Sequence, residues 1–122
     1  MKTVMVVDDS RIMRNIVKHT FDLLKMPVQY LEAGDGNQAF QLLSKNNVNL
    51  ILLDWNMPNL PGIDFLKKIK SMDEYKHIPV IMVTSESAKL NVIEAVKAGV
   101  TAYLTKPIND KIFMEKISSI IF

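Results

Sequence analysis

The chain has 122 residues, 48% hydrophobic and 23% charged, with four glycines and five prolines. That is one ordinary globular domain rather than a disordered, fibrous or repetitive chain. The absence of cysteine excludes disulfides, thiolate metal sites and a cysteine nucleophile, and a net charge of +2 is too small for a nucleic-acid-binding stripe.

The longest plainly apolar runs, Val4–Val7, Leu50–Leu53 and Val80–Val83, are four residues each, far short of a membrane span. Asp8 follows Met1 too closely for a secretory signal. A soluble cytoplasmic domain spanning residues 1–122 is expected.

In chain order, short apolar runs alternate with stretches of helical periodicity. Thr3–Val7 reads as a strand, and Ser10–Lys25 as a helix with Ile12, Met13, Ile16, Val17, Phe21 and Leu24 on its inward stripe. A weaker strand, Val28–Glu32, precedes a helix near Gly36–Asn46 with Ala39, Leu42 and Leu43 inward. Leu50–Leu53 is a strand buried on both faces, and Pro58 and Pro61 mark a loop before a helix over Ile63–Met72 built around Phe65, Leu66 and Ile69. Pro79–Thr84 is the fourth strand, and Ala88–Ala98 a helix that Gly99 closes with a left-handed cap. Ala102–Thr105 is the fifth strand, before a last helix over Asn109–Ile121 with Ile112, Phe113, Ile117, Ile120 and Ile121 inward.

Five strands alternating with five helices predict an α/β fold, a parallel sheet covered on both faces. Ligands in such folds collect beyond the carboxyl ends of the strands. The residues standing there are Asp8 and Asp9, Asp54, Thr84 and Lys106. Two carboxylates about 5 Å apart repel by roughly 3 kcal/mol at an effective dielectric near 20, so three together need a divalent cation and a lysine. All-oxygen donors select Mg²⁺ or Mn²⁺, and a carboxylate can itself accept a phosphoryl group. The joint placement therefore points to an Mg²⁺-dependent aspartyl-phosphate site. Singly, each residue has a plainer reading: Asp9 or Ser10 as a helix cap, Asp54 as a turn former, Thr84 as a cap, Lys106-Pro107 as a loop.

The Asp8-Asp9 pair, Asp54 within Asp54-Trp55-Asn56-Met57-Pro58, Thr84 at a strand end and Lys106-Pro107 together resemble the receiver domain of two-component response regulators. The resemblance covers essentially the whole chain and is nearest to the stand-alone chemotaxis regulators of that family. It implies a flavodoxin-like (βα)5 fold with strand order 2-1-3-4-5. It also implies a signalling protein rather than an enzyme proper, one that assists its own phosphorylation and dephosphorylation. By resemblance Asp54 is the phosphoacceptor. Asp9 holds Mg²⁺ directly and Asp8 at least partly through water, with Asp54 and the Asn56 backbone carbonyl completing the ligands. Lys106 binds the phosphoryl oxygens before a cis Lys106–Pro107 peptide, Thr84 donates its hydroxyl, and Tyr103 is the aromatic that moves inward behind it. The altered surface would include Lys89, Val92, Tyr103 and Lys116. Without the resemblance, Tyr103 reads as a plain edge-strand aromatic.

The implied partners are a histidine kinase, a phosphatase and, as target, a flagellar motor switch protein. The alternative is a relay receiver that passes the phosphoryl group to a histidine phosphotransfer protein. A monomer with no nucleic-acid partner is expected, since no DNA-binding segment follows Phe122. Pro61 departs from the family pattern, which usually has Asp there, and Asn59 is expected to start the third helix in its place. A flavin carrier would need a Ser/Thr/Gly-rich phosphate loop where Asp8-Asp9-Ser10-Arg11 stands, and an aspartyl-phosphate phosphatase would want an acid where Asn56 stands. The eight methionines read as core filler, Lys67, Lys68 and Lys70 as a solvated face, Trp55 as a partly exposed neighbour of the site, and His19 and His77 as lacking any ligand-spaced companion.

Overall fold

The computed structural model describes residues 1–25, 27–85 and 89–121, with Lys89 described by its backbone alone. The elements are β1 (Lys2–Val7), α1 (Arg11–Leu23), β2 (Val28–Ala33), α2 (Gly36–Leu43), β3 (Leu50–Leu53), α3 (Gly62–Lys70), β4 (Val80–Thr84), α4 (Lys89–Lys97), β5 (Ala102–Thr105) and α5 (Asp110–Ile121). Ala88, the expected first residue of the fourth helix, lies outside the described residues, as does the Lys89 side chain. No helix among the described residues is long and apolar enough to cross a membrane.

The strands form one sheet in the order β2-β1-β3-β4-β5 with every neighbouring pair parallel. The central strands β1, β3 and β4 are buried almost end to end, because helices cover both faces. Alternate side chains leave each strand in opposite directions and make two cores. Met5, Val7, Ile51, Leu53, Val80 and Met82 pack against Ala39 and Leu43 of α2, Phe65, Leu66 and Ile69 of α3, and Ala95 of α4. Val4, Val6, Leu50, Leu52, Ile81 and Val83 pack against Val17 and Phe21 of α1 and Phe113, Ile117 and Ile121 of α5. An edge-to-face contact between Phe21 and Phe113, with centroids 5.2 Å apart, joins α1 to α5.

Helix starts follow local chemistry. The Ser10 hydroxyl accepts from the Met13 amide, Asp35 accepts from the Gln38 amide, and Asn109 accepts from the Ile112 amide. Gly99 has φ 98°, the left-handed cap expected after α4.

Three expectations are corrected. Ile12 and Ile16 of α1 and Ile112 of α5 are 72%, 44% and 47% exposed, because each helix meets the sheet along a stripe narrower than its apolar face. Asn59 does not start the third helix: it sits at φ 69°, and α3 begins after Pro61, with no side-chain cap. Lys70 is not part of a solvated face, since its ammonium donates to the carbonyls of Lys76 at 3.1 Å and Ile78 at 2.7 Å, and burial lowers its pKa. Lys67 and Lys68 are exposed, Lys67 paired with Glu94 and Lys68 over the Phe40 ring.

The loop from β3 to α3 closes on a glycine. The Gly62 amide donates to the Trp55 carbonyl at 2.7 Å, and a Cβ there would collide with the backbone carbonyl of Asp54. At Gly34 a Cβ would meet only the Gln38 side-chain oxygen, at 3.4 Å, and the flexible ends of Gln38 and Arg14 beyond it. Gly62→Ala is therefore expected to cost about 2–4 kcal/mol in urea unfolding, since rigid backbone must move. Gly34→Ala should stay within about 0.5 kcal/mol of wild type. Equal costs at the two positions would contradict the close-approach argument.

Candidate functional site

The register of the sheet assembles the site. Val7 pairs with Leu53 and Leu53 with Met82, so the residues following β1 and β3 emerge side by side at one edge. Backbone bonds carry the alignment one residue further. The Asp8 amide donates to the Ala33 carbonyl at 3.0 Å, the Asp54 amide to the Val7 carbonyl at 2.9 Å, and the Lys106 amide to the Thr84 carbonyl at 2.9 Å. Lys106–Pro107 is cis.

Among the described residues one acidic group could hold a metal ion. Asp8, Asp9 and Asp54 each offer a carboxylate oxygen, all within 4.8 Å of one another. Asp8 and Asp54 are buried and Asp9 is exposed. The Lys106 ammonium stands 2.9 Å from Asp8 Oδ2 and 3.5 Å from Asp54 Oδ1. The other Asp8 oxygen accepts from the Ser10 amide at 2.8 Å. Asp8 is thus the better neutralised of the two buried carboxylates. Burial raises the Asp54 pKa above the usual carboxylate value, and the Asp8 charge raises it further. The Lys106 charge and hydrogen bonds from Lys106 and Thr84 pull the other way without prevailing.

An all-oxygen, doubly buried acidic set with no sulfur or imidazole donor suits a hard divalent cation such as Mg²⁺. The residues present fit that group. A cation here would neutralise charge that one ammonium leaves uncompensated.

The remaining site expectations fall around this centre. Thr84 is fully buried at the end of β4, near enough to Asp54 to favour its ionised form. Asn56 is exposed in the loop after β3, and Trp55 is half-buried beside Asp54. Tyr103 is half-buried on the edge strand β5 and lines a cavity of about 220 Å³ with Leu104, Pro107, Ile108 and Phe113. Two residues not singled out from the sequence also touch the site: Gly62, through its approach to the Asp54 carbonyl, and Arg14, whose guanidinium donates to the Asp8 carbonyl at 2.7 Å. Neither has a local signal, because one depends on a loop closing and the other on a helix folding back.

A family model, the response regulator receiver domain, matches residues 4–118. The chain belongs to the response regulator receiver family. The chemotaxis protein CheY homologue of Campylobacter jejuni is 42% identical over 118 residues, covering 96% of this chain and 90% of that one. The solved structure of Vibrio cholerae CheY4 superposes with a TM-score of 0.87 at 31% identity, covering 98% of each chain. The Mn²⁺-bound form of the response regulator Rcp1 has a TM-score of 0.82 at 28% identity, covering 98% of this chain and 91% of that one. This receiver domain is accordingly a two-component signalling protein of the chemotaxis-regulator type.

The raised Asp54 pKa has a stability consequence. Folded Asp54 holds its proton to higher pH than unfolded Asp54, so stability falls as pH rises from the unfolded value through the folded one. At neutral pH without metal the ionised Asp54 opposes folding. Asp54→Asn is therefore expected to stabilise the metal-free receiver at neutral pH, read as a rise in Tm. The gain should shrink as pH falls toward the carboxylate range, read by thermal unfolding in EDTA. A gain that grows at acid pH would reverse the assignment.

Proposed function

We propose that this receiver is a single-domain response regulator that accepts a phosphoryl group on Asp54 from a histidine kinase. It signals by phosphorylation-dependent binding, with the flagellar motor switch as its target. The observation that carries the reading is the placement of Asp54. It is a buried carboxylate at the end of a central strand, flanked by Asp8, Asp9 and Lys106, with Thr84 near enough to favour its ionised form. The Mn²⁺-bound relative and the resemblance to chemotaxis proteins support it.

Asp9, Asp54 and the Asn56 carbonyl would hold Mg²⁺, with Asp8 sharing in it partly through water. Bound there, the ion neutralises the acidic cluster and draws negative charge from the phosphoryl oxygens. An Asp54 oxygen attacks the phosphorus of the phosphohistidine donor. The new P–O bond forms as the P–N bond breaks, and the electron pair leaves with the imidazole, which takes up a proton. Lys106, already between Asp8 and Asp54, binds the transferred oxygens, and the Thr84 hydroxyl donates to the phosphoryl group. Tyr103, beside the cavity under β5 and α5, carries the change outward toward Val92 and Lys116.

Incubation with a small acyl phosphate and Mg²⁺ is expected to add one phosphoryl group that hydroxylamine removes, and Asp54→Asn should abolish the labelling. Asp9→Ala should abolish the Mg²⁺-dependent change in Trp55 fluorescence. A label that survives Asp54→Asn, or that resists hydroxylamine as a Ser or Thr ester would, sinks the phosphoacceptor assignment.

The output is tested separately. Thr84→Ala and Tyr103→Ala should both accept phosphate yet lose most of the phosphorylation-dependent gain in affinity for a motor switch protein, about tenfold or more. Wild-type gain in both variants would place the coupling elsewhere. Capture of a histidine phosphotransfer protein in place of the motor switch would move the protein to a relay.

A further inference from the structure

Arg14 stands where two strand ends and a helix meet. Its side chain is 17% exposed, its Nε donates to Glu32 Oε1 at 3.1 Å, and its Nη1 donates to the Asp8 carbonyl at 2.7 Å. Glu32 lies on β2 opposite Val6, so one guanidinium spans the ends of β1 and β2. The Asp8 amide is held by the Ala33 carbonyl and the Asp8 carbonyl by Arg14, so both peptides flanking Asp8 are fixed. That carbonyl belongs to the peptide leading into Asp9. Its plane therefore sets where the Asp9 carboxylate projects. The β-ladder does not reach that far, since β1 ends at Val7.

We propose that Arg14 is a positioning residue for cation binding: through the Asp8 carbonyl it keeps the Asp9 carboxylate in reach of those of Asp8 and Asp54. The proposal rests on the reading of this cluster as an Mg²⁺ site. An arginine beside an acidic site can act as a charge or as a clamp, and the two differ in sign. As a charge it repels a dication, so its loss tightens binding. As a clamp its loss weakens binding. Glu32 offsets the guanidinium charge locally, which leaves the clamp as the larger effect. Hydrogen-bond partners behind metal ligands typically contribute 10–100-fold in affinity. Arg14 acts on main chain rather than on a ligating oxygen, which places it at the lower end.

The test is Mg²⁺ titration of the whole chain, followed by Trp55 fluorescence, for wild type, Arg14→Ala and Arg14→Lys, with thermal unfolding in EDTA alongside. Arg14→Ala should bind Mg²⁺ about tenfold more weakly. Arg14→Lys should fail to restore affinity, because an ammonium keeps the charge but not the fork that serves Asp8 and Glu32 together. Phosphorylation by a small acyl phosphate should be slow at low Mg²⁺ and recover when Mg²⁺ saturates, which a merely structural loss would not do. Should the alanine variant not fold, the lysine variant decides. Affinity equal to or tighter than wild type in Arg14→Ala, or full restoration by lysine, overturns the clamp. A wild-type protein with no Mg²⁺ response overturns the cation site itself, and the clamp with it.

Discussion

Lys106 is one ammonium set among three carboxylates, and much of the site's behaviour follows from that mismatch. Its distances, 2.9 Å to Asp8 and 3.5 Å to Asp54, show an uneven division. A hydrogen bond at 3.5 Å is at the edge of what counts as one, so Asp54 receives mostly long-range attraction. Asp54 is left buried, under-neutralised and raised in pKa, while Asp8 is held by both Lys106 and the Ser10 amide. The acidic cluster is thus arranged to gain from an added cation at the residue that would also serve as nucleophile. The cost falls on folding stability and is carried by the two apolar cores beneath.

Those cores explain which parts of the fold could be read in advance. Leu50–Leu53 and Ala102–Thr105 agree residue for residue with β3 and β5, because a polar residue stands at each end of both runs, and the other three strands differ by one residue at one end. The first four helices end one to three residues early, where the last turns lose their packing: the first ends at Leu23 rather than Lys25 and the second at Leu43 rather than Asn46, while α5 ends at Ile121 as expected. Periodicity also overstated burial. Val17, Thr20 and Phe21 bury on α1, while Ile12 and Ile16 on the same apolar stripe do not. An apolar stripe records a preference for burial, and the contact it finds inside the domain is narrower.

The site was legible for a related reason. Asp8, Asp54, Thr84 and Lys106 each follow or end an apolar run, and parallel topology sends every such end to one edge. Pro61, Gly62 and Arg14 lie outside that logic. Pro61 has no side-chain oxygen, so α3 starts uncapped, with Asn59 in a left-handed turn ahead of it and Gly62 pressed against the Asp54 carbonyl. Arg14 carries no periodic signature at all, since an arginine on an amphipathic helix looks the same whether it reaches solvent or a carbonyl.

The Thr84 hydroxyl constrains how any signal can leave this site. The Thr84 side chain is fully buried and already has a partner. Moving it onto a phosphoryl oxygen, as the proposed reading requires, would exchange one interaction for another, so the net gain would be less than the roughly 1.5–3 kcal/mol of a newly made charge-assisted bond. The rest of the driving force has to come from added charge, since a phosphoryl group brings about −1.5 to −2 at neutral pH, drawn toward Lys106. A bias of one or two kcal/mol moves a two-state equilibrium by about a factor of five to thirty. Such a factor makes a usable switch only when the active arrangement is already a minor population of a few per cent. Tyr103 is half-buried on an edge strand beside open volume, whereas Thr84 is fully buried. Under the proposed reading Thr84 would report the charge at Asp54, and the change of shape would be made at β5, where there is room for it.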